Sequence, residues 1–153
     1  MKDGHGKQLY PDGSVYEGMW KDNLQHGWGR FVSVNGDIYE GEFEKNSASG
    51  NGTFKSATDG RKYNGSWARG LPQGQGKEAW PDGTKFDGWF AEGKRYGLGI
   101  LTYSDGSLYN GEFLDGNIHG KGEFRWSDGK VHTGQWIENK LHGEGTTNWP
   151  DGR

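Results

Sequence analysis

The chain has 153 residues, 29% of them hydrophobic, and carries a net charge of −3 from 18 basic and 21 acidic side chains spread evenly along it. No concentrated basic face is available, so nucleic acid is excluded as the main partner. There are no cysteines for disulfides or thiolate metal sites, as expected in a reducing compartment. No apolar run approaches the ~20 residues of a membrane span, and nothing near Met1 reads as a signal peptide.

Thirty glycines coexist with eight tryptophans, seven tyrosines and seven phenylalanines. Disordered polar chains are poor in rings, so an ordered structure must be using these. The first predicted element is half a unit, GHGKQLYPDG (Gly4 to Gly13), which aligns with GEGTTNWPDG (Gly143 to Gly152). Between them, full units open at Tyr16, Tyr39, Tyr63, Phe86, Tyr109 and His132, at intervals of 23, 24, 23, 23 and 23 residues. The odd interval comes from one extra residue in KSATDG, between Phe54 and Gly60. The spacing predicts a single array over 4–153, with a half repeat at 4–15 and repeats at 16–38, 39–62, 63–85, 86–108, 109–131 and 132–153.

Each unit begins with a predicted strand in which Tyr16, Gly18 and Trp20, two apart, share one face. A loop follows, with Asn23, Asn46 and Asn139 or Gly70, Gly93 and Gly116 at a position suited to positive φ. The second strand carries a Gly-x-Gly pair such as Gly27 and Gly29, with Phe31 expected on the same face. Asp-Gly closes each unit, replaced once by Asn35-Gly36, a strong hairpin signal. The paired glycines leave room for rings, and the rings of one unit are predicted to cover the bare backbone of the next. So short a unit cannot bury enough surface alone, which makes stacking obligatory. The predicted fold is all-β: an elongated, twisted, single-layer antiparallel β-meander of two-stranded hairpin units, without helices. It should advance ~10 Å per unit and reach roughly 60 Å.

The segments YEGMWKDNLQHGWG, YNGEFLDGNIHGKG and HTGQWIENKLHGEG follow the pattern YxGxWxxxxxxGxG, and the chain therefore resembles the MORN (membrane occupation and recognition nexus) repeat family from Gly4 to Gly152. His132 in place of the leading aromatic, Ser49-Gly50 and Gln73-Gly74 in place of His-Gly, and the insertion are its departures. The resemblance implies a non-catalytic scaffold that binds partner proteins, self-associates or meets lipids. It implies a cytoplasmic setting, in a cytoskeletal or ciliary assembly or at the cytoplasmic face of a membrane. A regulatory segment of a larger enzyme, beside a lipid-kinase or SET methyltransferase domain, is a further reading.

The residues themselves suggest no catalysis. Three histidines, His26, His119 and His142, hold equivalent positions, which lie ~10 Å apart even in adjacent units, too far to share a metal ion, and are expected to stabilise turns; His5 and His132 suggest no site. The carboxylates, including Glu40, Glu42 and Glu44, fall on outward strand positions and loops. The Gly-x-Gly pairs introduce strands, not the helix N-termini that hold phosphates. No enzyme activity, cofactor or metal is expected. For a protein or peptide partner, extended or helical, the candidate groove residues are Tyr16, Trp20, Tyr63, Trp67 and Trp136, each of which also has a plain packing role. Alternation sends Trp28 and Trp89 to the opposite, mostly polar face, where exposed rings serve as interface anchors. Tyr96 replaces the recurrent histidine. For the alternative of anionic lipid, Arg61, Lys62, Lys94 and Arg95 are the candidates; the net charge and the lack of a basic cluster stand against it. The end strands near Gly4–Tyr10 and Gly143–Trp149 are expected to be unpaired edges, belonging to a longer array or pairing with a second chain as a homo-oligomer.

Overall fold

The computed structural model describes residues 2–150, apart from the Glu144 side chain, and the last Asp-Gly turn, Asp151-Gly152, lies outside the described residues. Thirteen strands form one open antiparallel sheet in which each pairs with its sequence neighbours. They are β1 (Gly4–Leu9), β2 (Val15–Lys21), β3 (Leu24–Val32), β4 (Ile38–Glu44), β5 (Ser47–Lys55), β6 (Lys62–Ala68), β7 (Leu71–Ala79), β8 (Lys85–Ala91), β9 (Lys94–Thr102), β10 (Leu108–Leu114), β11 (Asn117–Arg125), β12 (Val131–Ile137) and β13 (Lys140–Asn148). The described residues contain no helix, as the glycine and ring spacing predicts.

Two kinds of turn alternate along the meander. Within a unit, β2 and β3 are joined by Asp22 and Asn23, both at positive φ (51° and 66°), the mark of a type I′ hairpin. The asparagine also stitches units together. Asn46 N–H donates to the Gln25 carbonyl at 3.0 Å, while its side-chain oxygen accepts from Gln25 N–H at 2.8 Å. Between units the Asp-Gly turns close differently. In Pro11-Asp12-Gly13 only the glycine has positive φ (96°), and Tyr10 N–H donates to the Ser14 carbonyl at 2.9 Å. Asp12 accepts from the Ser14 amide and hydroxyl at 2.8 and 2.6 Å, and these bonds hold its carboxyl below the usual carboxylate range.

One expectation from strand alternation is corrected. Gly18 pairs with Gly29 and Trp20 with Gln25, so His26, Gly27 and Trp28 stand opposite the single residue Met19. The same bulge recurs in every unit, and its first glycine takes positive φ, as at Gly27 (79°), Gly50 (87°) and Gly120 (76°). Gly27 and Gly29 therefore do different work. The first supplies a left-handed backbone and the second supplies space.

That space is filled by the leading ring of the same unit. A methyl group at Gly29 would lie 2.3 Å from the Tyr16 hydroxyl, and one at Gly18 would lie 2.4 Å from the Gly29 Cα. The Tyr16 hydroxyl donates to the carbonyl of Met19, opposite the bulge, at 2.7 Å; Tyr39, Tyr63 and Tyr109 bond Glu42, Ser66 and Glu112 in the same way. The prediction that rings cover the next unit's backbone is thus corrected for the leading ring and reversed in direction for the second. Trp20 reaches back to the preceding unit and donates its indole N–H to the Gly6 carbonyl at 3.1 Å, as Trp67 does to Gly52 and Trp136 to Gly122. Leading and second rings then meet edge to face without interruption. Tyr16 lies 5.1 Å from Trp20 and 5.0 Å from Phe43, and the series runs on to Tyr109–Trp136 and His132–Trp136. His132 fills the leading-ring position with an imidazole.

Gly76→Ala would place a methyl 2.3 Å from the Tyr63 hydroxyl, and we expect it to cost about 2–4 kcal/mol by overpacking. Gly116, at φ 86° with open space around it, is the opposite case. Gly116→Asn adds the acceptor that Asn139 offers Ile118, and should gain about 0.5–1 kcal/mol. Urea midpoints of the two variants check both signs.

Burial pushes the phenols of Tyr16, Tyr63 and Tyr109 up to about 12. Below the ordinary tyrosine value near 10 both folded and unfolded chains keep these protons. Between about 10 and 12 only the unfolded chain releases them, so stability must fall across that window. A urea midpoint that stays flat from pH 9 to about 12 contradicts this linkage.

Candidate functional site: an aromatic groove with a buried charge cluster

The ring-bearing face is not closed throughout. A cavity of about 400 Å³ opens over the middle units, lined by Tyr39, Phe43, Tyr63, Trp67 and Phe90, by Phe31 and Phe54, and by Ala48, Leu71 and Pro72 from the loop-proximal ends of β5 and β7. Its volume falls in the range of ligand and peptide pockets. The main-chain lattice places its walls: each second ring is pinned edge to face between two leading rings, at 4.9–5.2 Å around Trp67 and Tyr63.

Two charged side chains, Arg61 and Glu78, share this lining. Glu78 on β7 stands at the position occupied by Phe31, Phe54, Leu101 and Phe124 in other units, and only 7% of its side chain is exposed. Arg61 bonds it through Nη1 at 3.3 Å, and Arg95 on β9 approaches its other oxygen through Nε at 3.5 Å. Arg61 lies over the Phe54 ring and Arg95 over the rings of Trp80 and Phe86. Counting at the same offsets, the equivalents of Arg61, Glu78 and Arg95 are Ser14, Phe31 and Ala48 upstream and Ser107, Phe124 and Leu141 downstream. The position of Arg61 is polar throughout, with Asp37 and Lys130 among its equivalents, so two departures from the repeat, Glu78 and Arg95, meet there beside Arg61. The negative charge of Glu78 adds to burial in raising the Tyr63 phenol.

The other candidates are distributed as follows. Tyr16, Trp20, Tyr63, Trp67 and Trp136 are buried in the ring layer, and of these Tyr63 and Trp67 line the cavity. Trp28, Trp89 and Tyr96 are exposed, by 60%, 48% and 52%. Arg61 and Arg95 turn toward Glu78, whereas Lys62 lines a second groove of about 450 Å³ with Lys77, Lys85, Asp87 and Ile100. Lys94 is exposed at the start of β9. The four basic candidates for lipid therefore form no single cluster.

The imidazoles of His26, His119 and His142 make no hydrogen bond among the described residues, so a contribution to the turns would come through packing. Glu42 and Glu112 are exposed, as expected, and also accept the bulge amides of Asn51 and Lys121 at 2.6 and 2.5 Å. Among the described residues no group of three His, Cys, Asp or Glu is placed to hold a metal ion, and no helix is long and apolar enough to cross a membrane. β1 and β13 each pair on one side only.

Sequence reasoning picked out Arg61 and Arg95 but missed Glu78. The signal was present as a carboxylate at a ring position of the repeat. Glu78→Ala should cost about 3 kcal/mol, because it leaves two guanidinium groups partly buried without their counter-ion. Replacing all three residues with the upstream set, as Arg61→Ser, Glu78→Phe and Arg95→Ala, should return the stability to within about 1 kcal/mol of the original or above it. Thermal unfolding of the two variants checks the contrast.

Comparison with known proteins gives a family model and a set of folds. The MORN-repeat model matches residues 1–15, 16–38, 39–61, 63–85, 86–108, 109–131 and 132–152. No curated protein matches the sequence. Among solved structures, the TCP domain of Drosophila melanogaster SAS-4 (dCPAP), in complex with a proline-rich motif of Ana2 (dSTIL), is 19% identical with a TM-score of 0.59, over 99% of this chain and 82% of that one. The G-box domain of the microcephaly protein CPAP, a structure that suggested a role in centriole elongation, is 14% identical with a TM-score of 0.60, over 97% and 78%. The TCP10 domain of Danio rerio CPAP, bound to a peptide of Danio rerio STIL, is 13% identical with a TM-score of 0.51, over 99% and 77%. At these identities the similarity is one of fold.

Proposed function

The chain belongs to the MORN-repeat family, and from that premise we propose that it is a non-catalytic scaffold whose ring-bearing face holds a partner protein through an extended segment. The observation that carries this reading is the apolar cavity of about 400 Å³ lined by rings from successive units. A continuous ring layer would otherwise be sealed by its own edge-to-face contacts. Two of the similar folds hold peptides, one of them proline-rich, which supports the same use of this sheet. A partner rich in proline suits such a wall, because its chain is already extended and loses little entropy on docking. The association of one similar fold with centriole elongation supports a cytoskeletal setting.

The test is selection of a random-peptide display library on the intact chain, followed by titration of selected peptides against Leu71→Asp. Leu71 lines the cavity yet is 47% exposed, so the variant should fold normally and bind at least tenfold more weakly. Recovery of no binding peptide, or unchanged affinity in Leu71→Asp, removes the reading.

One observation favours anionic lipid as a second reading, namely the groove on the other face with Lys62, Lys77 and Lys85. Asp87, 3.8 Å from Lys77, offsets part of that charge. Absence of binding to phosphoinositide liposomes at ~0.1 M salt disposes of it.

A further inference from the structure

The charge cluster at Glu78 deepens the peptide reading, and rests on it, by specifying one feature of the bound segment. Two guanidinium groups share one carboxylate there, an excess of one positive charge within the cluster itself, with the exposed Asp59 also acting on Arg61. The arginines are partly exposed, at 39% and 24% of their side chains against 7% for Glu78, and Arg61 lines the groove itself. Arg61 Nε is buried and has no hydrogen-bond partner among the described residues. An aromatic-backed arginine keeps its donors in a fixed fork, the arrangement that suits a carboxylate.

We propose that Arg61 and Arg95 form an anion-recognition point in the groove, receiving the carboxylate of an Asp or Glu side chain on an extended, otherwise apolar partner peptide. The single excess charge matches a single carboxylate. A phosphate dianion would carry more charge than the site offers. A lipid surface calls for several clustered basic groups, and the neighbouring lysines Lys62 and Lys85 lie in the groove of the other face. Glu78 sets the strength of the site: it holds both arginines in place and takes half of their charge.

The experiment starts from the peptides selected on the intact chain. Those carrying an acidic residue are resynthesised with Glu→Gln or Asp→Asn and titrated against the unmodified protein, which leaves its fold untouched. Loss of about tenfold or more in affinity is expected, the worth of one charged hydrogen bond. The same loss should follow from Arg61→Gln, and the two changes together should cost no more than either alone. Glu78→Gln, shown to be folded by a cooperative melt, should bind the acidic peptide more tightly, which a merely structural cluster would not produce. Peptides that bind with no acidic residue enriched, or with affinity indifferent to its neutralisation, overturn the inference while leaving the groove as a peptide site. Recovery of no peptide at all overturns both. Binding to phosphatidylserine vesicles that is lost in Arg61→Gln, with peptides unaffected, overturns the inference in favour of a lipid headgroup.

Discussion

The structure depends on one contact, that of a flat ring laid on a backbone stripped of side chains. Where Gly18 and Gly29 face each other, no Cβ fits between the strands and the Tyr16 ring. The ring gains a whole face of close contact there, and its hydroxyl ties the carbonyl of Met19. Glycine inside a strand ordinarily weakens it through entropy and lost packing. Here the loss is offset because each pair of glycines admits one large buried surface. A sheet only one layer thick can then possess a core without a second layer to cover it.

Much of this is legible in the residues. The period, the two-stranded units, the absence of helices and the positive φ of Asn23 and its equivalents all follow from spacing and turn chemistry. The exposure of Trp28 and Trp89 follows from alternation beside glycines. The bulge does not, because Gly27 and Gly29 are two apart and look equivalent in a list of residues. Only the register, with three residues opposite Met19, separates a glycine needed for its dihedral angle from one needed for its emptiness. The direction in which each ring lies is also hidden, since alternation assigns a face and not a neighbour along it.

The charge cluster was hidden for another reason. Arg61 and Glu78 are 17 residues apart, and Arg95 lies a further unit away, so no local motif contains them. What exposes them is the repeat itself. An array supplies its own controls, because every position has several counterparts in equivalent surroundings, and a residue that breaks rank is visible without any other sequence. Glu78 breaks rank among Phe31, Phe54, Leu101 and Phe124. Arg95 does so among Gln25, Ala48, Pro72, Ile118 and Leu141, whereas Arg61 occupies a position that is polar throughout. Glu78 interrupts the row of Phe31, Phe54, Leu101 and Phe124 and lines the cavity beside the unbroken series of leading and second rings, which joins the architecture to the proposed recognition site.

The second rings are of two kinds. Trp20, Trp67 and Trp136 anchor to a carbonyl of the preceding unit, whereas Phe43, Phe90 and Phe113 have no donor with which to do so. Seams between hairpins are therefore of unequal strength. Under tension along the ribbon's long axis every seam carries the same load, and those guarded by phenylalanine would part first. The molecule would lengthen in discrete steps, giving way at defined rungs while the tryptophan-latched segments stay whole.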